Sequence, residues 1–159
     1  MYVKALEAAG AIVHAYKEFG SYQGDWFALV TYKGKTGWIH GTFGSCSECD
    51  AFLAEFDFHS HHCPGRNGSY SSPFDALLDD LSDEEELFFP ENCPICQELK
   101  QRFILFGEIY LTDILSHEEA LALAKNDAEW DLEAEKMIAF LEREIKKLSL
   151  PEYHTQSAP

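Results

Sequence analysis

A chain of 159 residues that is 46% hydrophobic and 14% aromatic has enough apolar material for one packed core, which excludes a wholly disordered protein. Its formal net charge of −16, from 12 Lys and Arg against 28 Asp and Glu, excludes the basic stripe with which a protein grips a phosphate backbone. No apolar run is long enough to span a bilayer, and Met1–Glu7 lacks a basic stretch followed by an apolar one. The expectation is an unprocessed cytoplasmic protein with no membrane and no direct nucleic-acid partner.

Tyr2 to Ala9 reads as a short helix stopped by Gly10. Ala11 to Tyr16 is an apolar first strand, and Phe19 to Asp25 a loop. Trp26 to Tyr32 is aromatic and β-branched, hence a second strand. Lys33-Gly34-Lys35 turns it, and Thr36 to Gly41 returns as a third. The run from Gly24 to Gly41 is similar to the central hairpin of bacterial SH3-like domains, over two strands only. Asp50 to Phe56 fits a short helix or a strand. His59 to Gly68 is a loop by its Pro and Gly content.

Ser72-Pro73-Phe74-Asp75 has the chemistry of a helix start, and Phe74, Leu77, Leu78 and Leu81 fall on one stripe. From Cys93 the pattern is helical. Leu99, Phe103, Phe106, Tyr110 and Ile114 form a stripe in which Gly107 bends or weakens the helix. Ser116-His117-Glu118-Glu119 is a capping-box signature. A last helix spans Asp127 to Leu148, with Trp130, Ala134, Met137, Ile138, Leu141, Ile145 and Leu148 on one face. The predicted class is α+β: a β-meander of about three strands, then a helical layer of three to four helices. One domain covers 1–150, with a sheet half (1–58), a loop and acidic helix (59–92) and a helical half (93–150). A disordered tail covers 151–159.

Five cysteines in a chain with no export signal argue against a disulfide framework. Cys46-x-x-Cys49 and Cys93-x-x-Cys96 are two turns of the kind that present paired thiolates to zinc, about 2.3 Å from the ion. Together they would make a tetrahedral structural site clasping sheet to helices, against the alternatives of reduced buried thiols or redox chemistry. The loop residues His59, His61, His62 and Cys63 are alternate ligands or a second site. That loop, with Asn67, also resembles the HNH nuclease arrangement. The next histidine after Cys96 is His117, too far along for that family's spacing, and the basic residues to hold DNA are missing.

Asp75, Asp79, Asp80, Asp83, Glu84, Glu85 and Glu86 are the densest acids. Carboxylates on successive helical turns lie about 5–6 Å apart, comparable with phosphate spacings, so a basic partner would offset their repulsion. The bland alternative is a solvated acidic face. Tyr22, Gln23, Asp25 and His40 surround Trp26 and Trp38 and are candidates for a ligand groove on the sheet, against the simpler reading of turn residues and core tryptophans.

Gly20-Ser21-Tyr22-Gln23-Gly24-Asp25-Trp26, Gly37-Trp38-Ile39-His40-Gly41 and Gly44-Ser45-Cys46-Ser47-Glu48-Cys49-Asp50-Ala51-Phe52 together look like an uncharacterised family of small phage and prophage proteins. Phe106-Gly107, Tyr110-Leu111, Ile114 to Ser116 and Glu129-Trp130-Asp131 fit the same family. It has no established activity and transfers no catalytic residue. The resemblance implies a phage accessory protein of the kind that binds host machinery, including restriction and CRISPR nucleases.

Three readings follow. The first is a non-enzymatic, zinc-stabilised inhibitor of a host nucleic-acid-handling protein, acting through Asp75–Glu86 as a DNA mimic. The second is a metal-dependent, HNH-like nuclease or other hydrolase using the His59–Cys63 loop. The third is an intracellular binding module with its ligand on the aromatic sheet.

Overall fold

The structure, a computed structural model, describes residues 1–46, 50–56, 89–126 and 133–149. Its elements are α1 (Tyr2–Ala8), β1 (Ile12–Gly20), β2 (Gly24–Tyr32), β3 (Lys35–Phe43), α2 (Ala51–Phe56), α3 (Pro94–Leu111), α4 (His117–Asn126) and α5 (Ala134–Leu148). The predicted acidic helix after Ser72, the loop from His59 to Gly68, the start of the last helix and the tail lie outside the described residues.

Local chemistry sets the ends of these elements. α1 stops because Gly10 takes a φ of 97°, letting Gly10 N donate to Glu7 O (2.9 Å) and Ala11 N to Leu6 O (3.0 Å). The β2–β3 turn places Lys33 and Gly34 at φ values of 48° and 78°, the paired positive values of a two-residue hairpin matched to strand twist. At α4, Glu119 N donates to Ser116 Oγ (3.1 Å) and Ser116 N to Glu119 Oε2 (2.7 Å), so the capping box forms as read.

The three strands make an antiparallel sheet in the order β1-β2-β3. β1 runs to Gly20 and β2 begins at Gly24, so the predicted loop there shrinks to a three-residue tip. A bulge at His14 shifts the β1 register between Val13 and Ala15. The His14 Nε2 lies 2.8 Å from Thr31 Oγ1, and burial holds this imidazole below its ordinary pKa.

The largest departure from expectation is the number of helical layers. Trp26, Phe27, Ala28, Leu29 and Val30 are all buried, so β2 is covered on both faces. Trp26, Ala28, Val30 and Ile39 point to one face, where they pack with Tyr2, Ala5 and Leu6 of α1, Phe52 and Phe56 of α2, and Leu99, Phe103 and Phe106 of α3. Phe27, Leu29 and Trp38 point to the other, against Ala120 and Ala124 of α4 and Met137, Phe140 and Leu141 of α5. The fold is α+β as predicted, but the sheet lies between two helical layers.

The chain changes face around the outer edge of β3. Trp38 and Leu115 exchange both backbone hydrogen bonds, each 2.8 Å, and Lys35 Nζ donates to Ile114 O (2.9 Å). Leu115 is thus a one-residue fourth rung, and Ser116 starts α4 directly beyond it. Trp38 Nε1 then donates to His117 Nδ1 at 3.2 Å, anchoring the first turn of α4 to the sheet.

α3 runs unbroken through Gly107. That residue is where α1 crosses. A Cβ there would collide with the carbonyl oxygen of Ala5 and press on Ala9. Gly41 plays a similar part in the sheet, since the Trp26 indole lies flat over the space a side chain would take.

Candidate functional site

The first Cys-x-x-Cys turn leads into the N-terminus of α2. Asp50 N donates to Cys46 O at 2.9 Å, and the buried Asp50 carboxylate caps the helix. Its Oδ1 accepts from Phe52 N (2.9 Å), Leu53 N (3.1 Å) and Tyr2 Oη (2.9 Å), and its Oδ2 from Gly44 N (3.1 Å). One carboxylate therefore holds the turn, α2 and α1 together. Cys46 is exposed and disulfide-bonded, and its bond is to neither Cys93 nor Cys96. Cys49 lies outside the described residues.

The second turn opens α3, with Cys93 as N-cap and Pro94 at the first helical position, where a missing N–H costs nothing. Cys93 and Cys96 are buried thiols in the cluster that holds Phe52, Phe56 and Phe103. Among the described residues no three His, Cys, Asp or Glu side chains converge as metal ligands, so Cys46, Cys93 and Cys96 are not three corners of one tetrahedron. Asp50, beside Cys46, sits with Tyr2 against Tyr110, which is ~21 Å along the α3 axis from Cys96. The structure does not show the zinc joint expected between the halves. Apolar packing joins them instead, through Tyr2 on Phe106, Phe52 on Phe103 and Phe56 on Phe106. Arg102 adds a salt bridge to Glu55 at 2.6 Å. Cys93 and Cys96, one turn apart, offer two donors of a metal set. The alternates His59, His61, His62 and Cys63 lie outside the described residues.

Around Asp50 the interior is unusually rich in phenols. Tyr2 packs on Trp26 with ring centroids 4.9 Å apart, and Tyr110 and Tyr16 lie 5.2 and 5.7 Å from the same indole. Burial, then the hydrogen bond to Asp50, pushes the Tyr2 hydroxyl far above its ordinary pKa. Burial, then the bond to Glu18, does the same for Tyr16, and burial followed by the Asp50 charge raises Tyr110. All three stay neutral, and Tyr2 donates to the buried Asp50 carboxylate while Tyr16 donates to Glu18. Trp26 Nε1 is a buried donor with no hydrogen-bond partner among the described residues. Tyr2, Tyr16 and Tyr110 pack around its ring.

The proposed sheet groove is not assembled. Trp26 and Trp38 are both 0% exposed and face opposite sides of the sheet, because they occupy positions of opposite parity in the ladder. Asp25 and His40 do meet. Asp25 Oδ1 lies 2.7 Å from His40 Nε2, both half-buried, with the imidazole on the Phe27 ring at 4.9 Å. Tyr22 is 81% exposed at the β1–β2 tip, next to exposed Gln23. The pair that forms braces β2 to β3.

Asp75, Asp79, Asp80, Asp83, Glu84, Glu85 and Glu86 lie outside the described residues, but the framework shows what they are added to. Within the described residues eleven Lys and Arg face fifteen Asp and Glu. The rest of the chain has one basic residue, Arg66, against thirteen acids. No helix among the described residues is long and apolar enough to cross a membrane. Comparison with protein-family models, curated proteins and solved structures gives no match.

Proposed function

We propose that this chain is a non-enzymatic interaction protein of a phage or mobile element that inhibits a host nucleic-acid-handling protein. Asp75, Asp79, Asp80, Asp83, Glu84, Glu85 and Glu86 would occupy that protein's basic surface in place of nucleic acid. The observation that carries this reading is the uneven distribution of charge. The sheet and helices are close to balanced, at −4, whereas the remaining residues hold −12. Residues 57–88 alone have eight acids against one arginine. An acidity selected only for solubility has no need to be concentrated in this way.

The test uses immobilised protein and a bacterial lysate. Basic nucleic-acid-binding proteins should be retained, and duplex DNA or high salt should release them. Changing Asp79, Asp80, Glu84 and Glu85 together to Asn or Gln should abolish retention. Undiminished retention by that variant would sink the mimicry reading.

Zinc belongs to the same proposal as a structural ion. Cys93 and Cys96 would supply two ligands, and the others would come from Cys49 or the alternates His59, His61, His62 and Cys63, not from Cys46. Elemental analysis of protein purified under reducing conditions should give about one zinc per chain, lost in the Cys93→Ser/Cys96→Ser variant. Zinc-free wild-type protein would remove the ion from the reading and leave the acidic surface untouched.

A further inference from the structure

The chain has five cysteines, of which Cys93 and Cys96 are buried thiols and Cys46 is exposed and disulfide-bonded. The partner of Cys46 is therefore Cys49 or Cys63. The local hydrogen bonds favour Cys49. Asp50 N donates to Cys46 O at 2.9 Å. A bond of this kind closes one turn of chain and sets residues three positions apart side by side. A disulfide needs Cα atoms about 4.4–6.8 Å apart, which such a turn supplies. The Cys-x-x-Cys spacing read from the sequence as a metal turn is equally the spacing of a redox pair.

The turn is also held without sulfur. Asp50 fixes the chain on both sides of Cys46, through Gly44 N on Oδ2 (3.1 Å) before it and through its own N–H on Cys46 O after it. Its Oδ1 secures Phe52 N and Leu53 N of α2. Reduction would therefore leave the turn closed, and the exposure of Cys46 lets an attacking thiolate reach it. Exposed disulfides are the labile ones. We infer that Cys46 and Cys49 form a reversible redox pair that exchanges electrons with a dithiol. The reductant's thiolate bonds to the Cys46 sulfur, the Cys46–Cys49 bond breaks, and Cys49 leaves as a thiolate that takes up a proton. The reductant's second thiol attacks its own sulfur in the mixed disulfide, and Cys46 leaves and is protonated. The reductant departs as a disulfide, and the chain has gained two electrons and two protons. The inference is independent of the acidic surface, and it makes Cys49 available to zinc only in the reduced chain.

The test equilibrates the full chain in mixtures of oxidised and reduced dithiothreitol, then denatures and alkylates it for peptide mass spectrometry. In oxidised buffer Cys63, Cys93 and Cys96 should be labelled, and Cys46 and Cys49 should not. In reduced buffer Cys46 and Cys49 should become labelled together, with the near-ultraviolet circular dichroism of the folded chain unchanged. Return to oxidised buffer should restore their protection. Cys63→Ser should leave this behaviour intact, whereas Cys49→Ser should expose Cys46 to labelling in every buffer. Labelling of Cys46 in the oxidised wild type, a Cys46–Cys63 bond, or loss of the near-ultraviolet signal on reduction would each overturn the assignment.

Discussion

Gly107→Ala should destabilise the protein by about 1–3 kcal/mol, and Gly107→Leu by more. Helix propensity taken alone forecasts the reverse, since alanine in a helix interior is favoured over glycine by about 1 kcal/mol. Tertiary geometry decides the sign. The first side-chain carbon at 107 would overlap the Ala5 carbonyl, which belongs to the backbone of α1 and cannot rotate away. Accommodation requires α1 to lift, and α1 carries Tyr2, Ala5 and Leu6 into the core. Urea denaturation should show a lower midpoint at unchanged slope. A more stable Gly107→Ala protein would mean that the helices do not cross there.

The second large effect is at Asp50. Asp50→Ala should cost about 3 kcal/mol. Loss of an N-cap side chain accounts for about 1 kcal/mol. The rest comes from donors left without an acceptor in a buried site, at about 1–3 kcal/mol each before relaxation. These are Gly44 N, Leu53 N and the Tyr2 hydroxyl, while Phe52 N keeps the Tyr2 oxygen as acceptor at 3.4 Å. Asp50→Asn should fall between, because its amide oxygen still accepts but its NH₂ group opposes one N–H. Tyr2→Phe should cost about 1 kcal/mol alone and much less in the Asp50→Ala background, the signature of a shared bond. If Asp50→Ala lies within about 0.5 kcal/mol of wild type, the carboxylate is an ordinary surface group and the site is misassigned.

The features legible from sequence were those written in neighbouring residues. Gly10 ends α1, Lys33-Gly34 turns the hairpin and Ser116 with Glu119 caps α4, because each depends on chemistry within four or five positions. The helical layer on the second face has a signal of its own in the sequence. Trp26 to Val30 is a continuous apolar run, which in a strand means burial on both sides and not strand propensity alone. The part played by Gly107 was not legible, since nothing within α3 names the helix that crosses it.

The same holds for Glu144 on the last helix. The apolar stripe was placed through Leu141 and Ile145, yet Phe140 and Glu144 are among the buried residues. Burial pushes the Glu144 carboxyl up, but hydrogen bonds from Lys147 and Arg143 outweigh it and hold the group below its usual range. A charged residue can sit on a buried face when exposed cations one and three positions away reach back to it. The paired Cys-x-x-Cys turns were read as a clasp from spacing alone, and spacing does not say on which ends of which helices two turns will sit. For the candidate partner surface, sequence supplied the residues and the fold supplied the contrast with a nearly neutral framework.

The passage of the chain around β3 at Leu115 bears on how the protein can be dissected. A boundary near residue 92 looks natural in the sequence, with a sheet-bearing part before it and a helical part after. Cutting there would split one layer and remove the other from the sheet between them. The N-terminal piece would keep α1 and α2 but lose α3, α4 and α5, leaving Phe27, Leu29 and Trp38 bare on one side and Trp26 half-covered on the other. Ending the chain after Leu115 would preserve one side and strip the other completely. Neither fragment keeps both helical layers, so expression trials should keep α1 to α5 together on one chain.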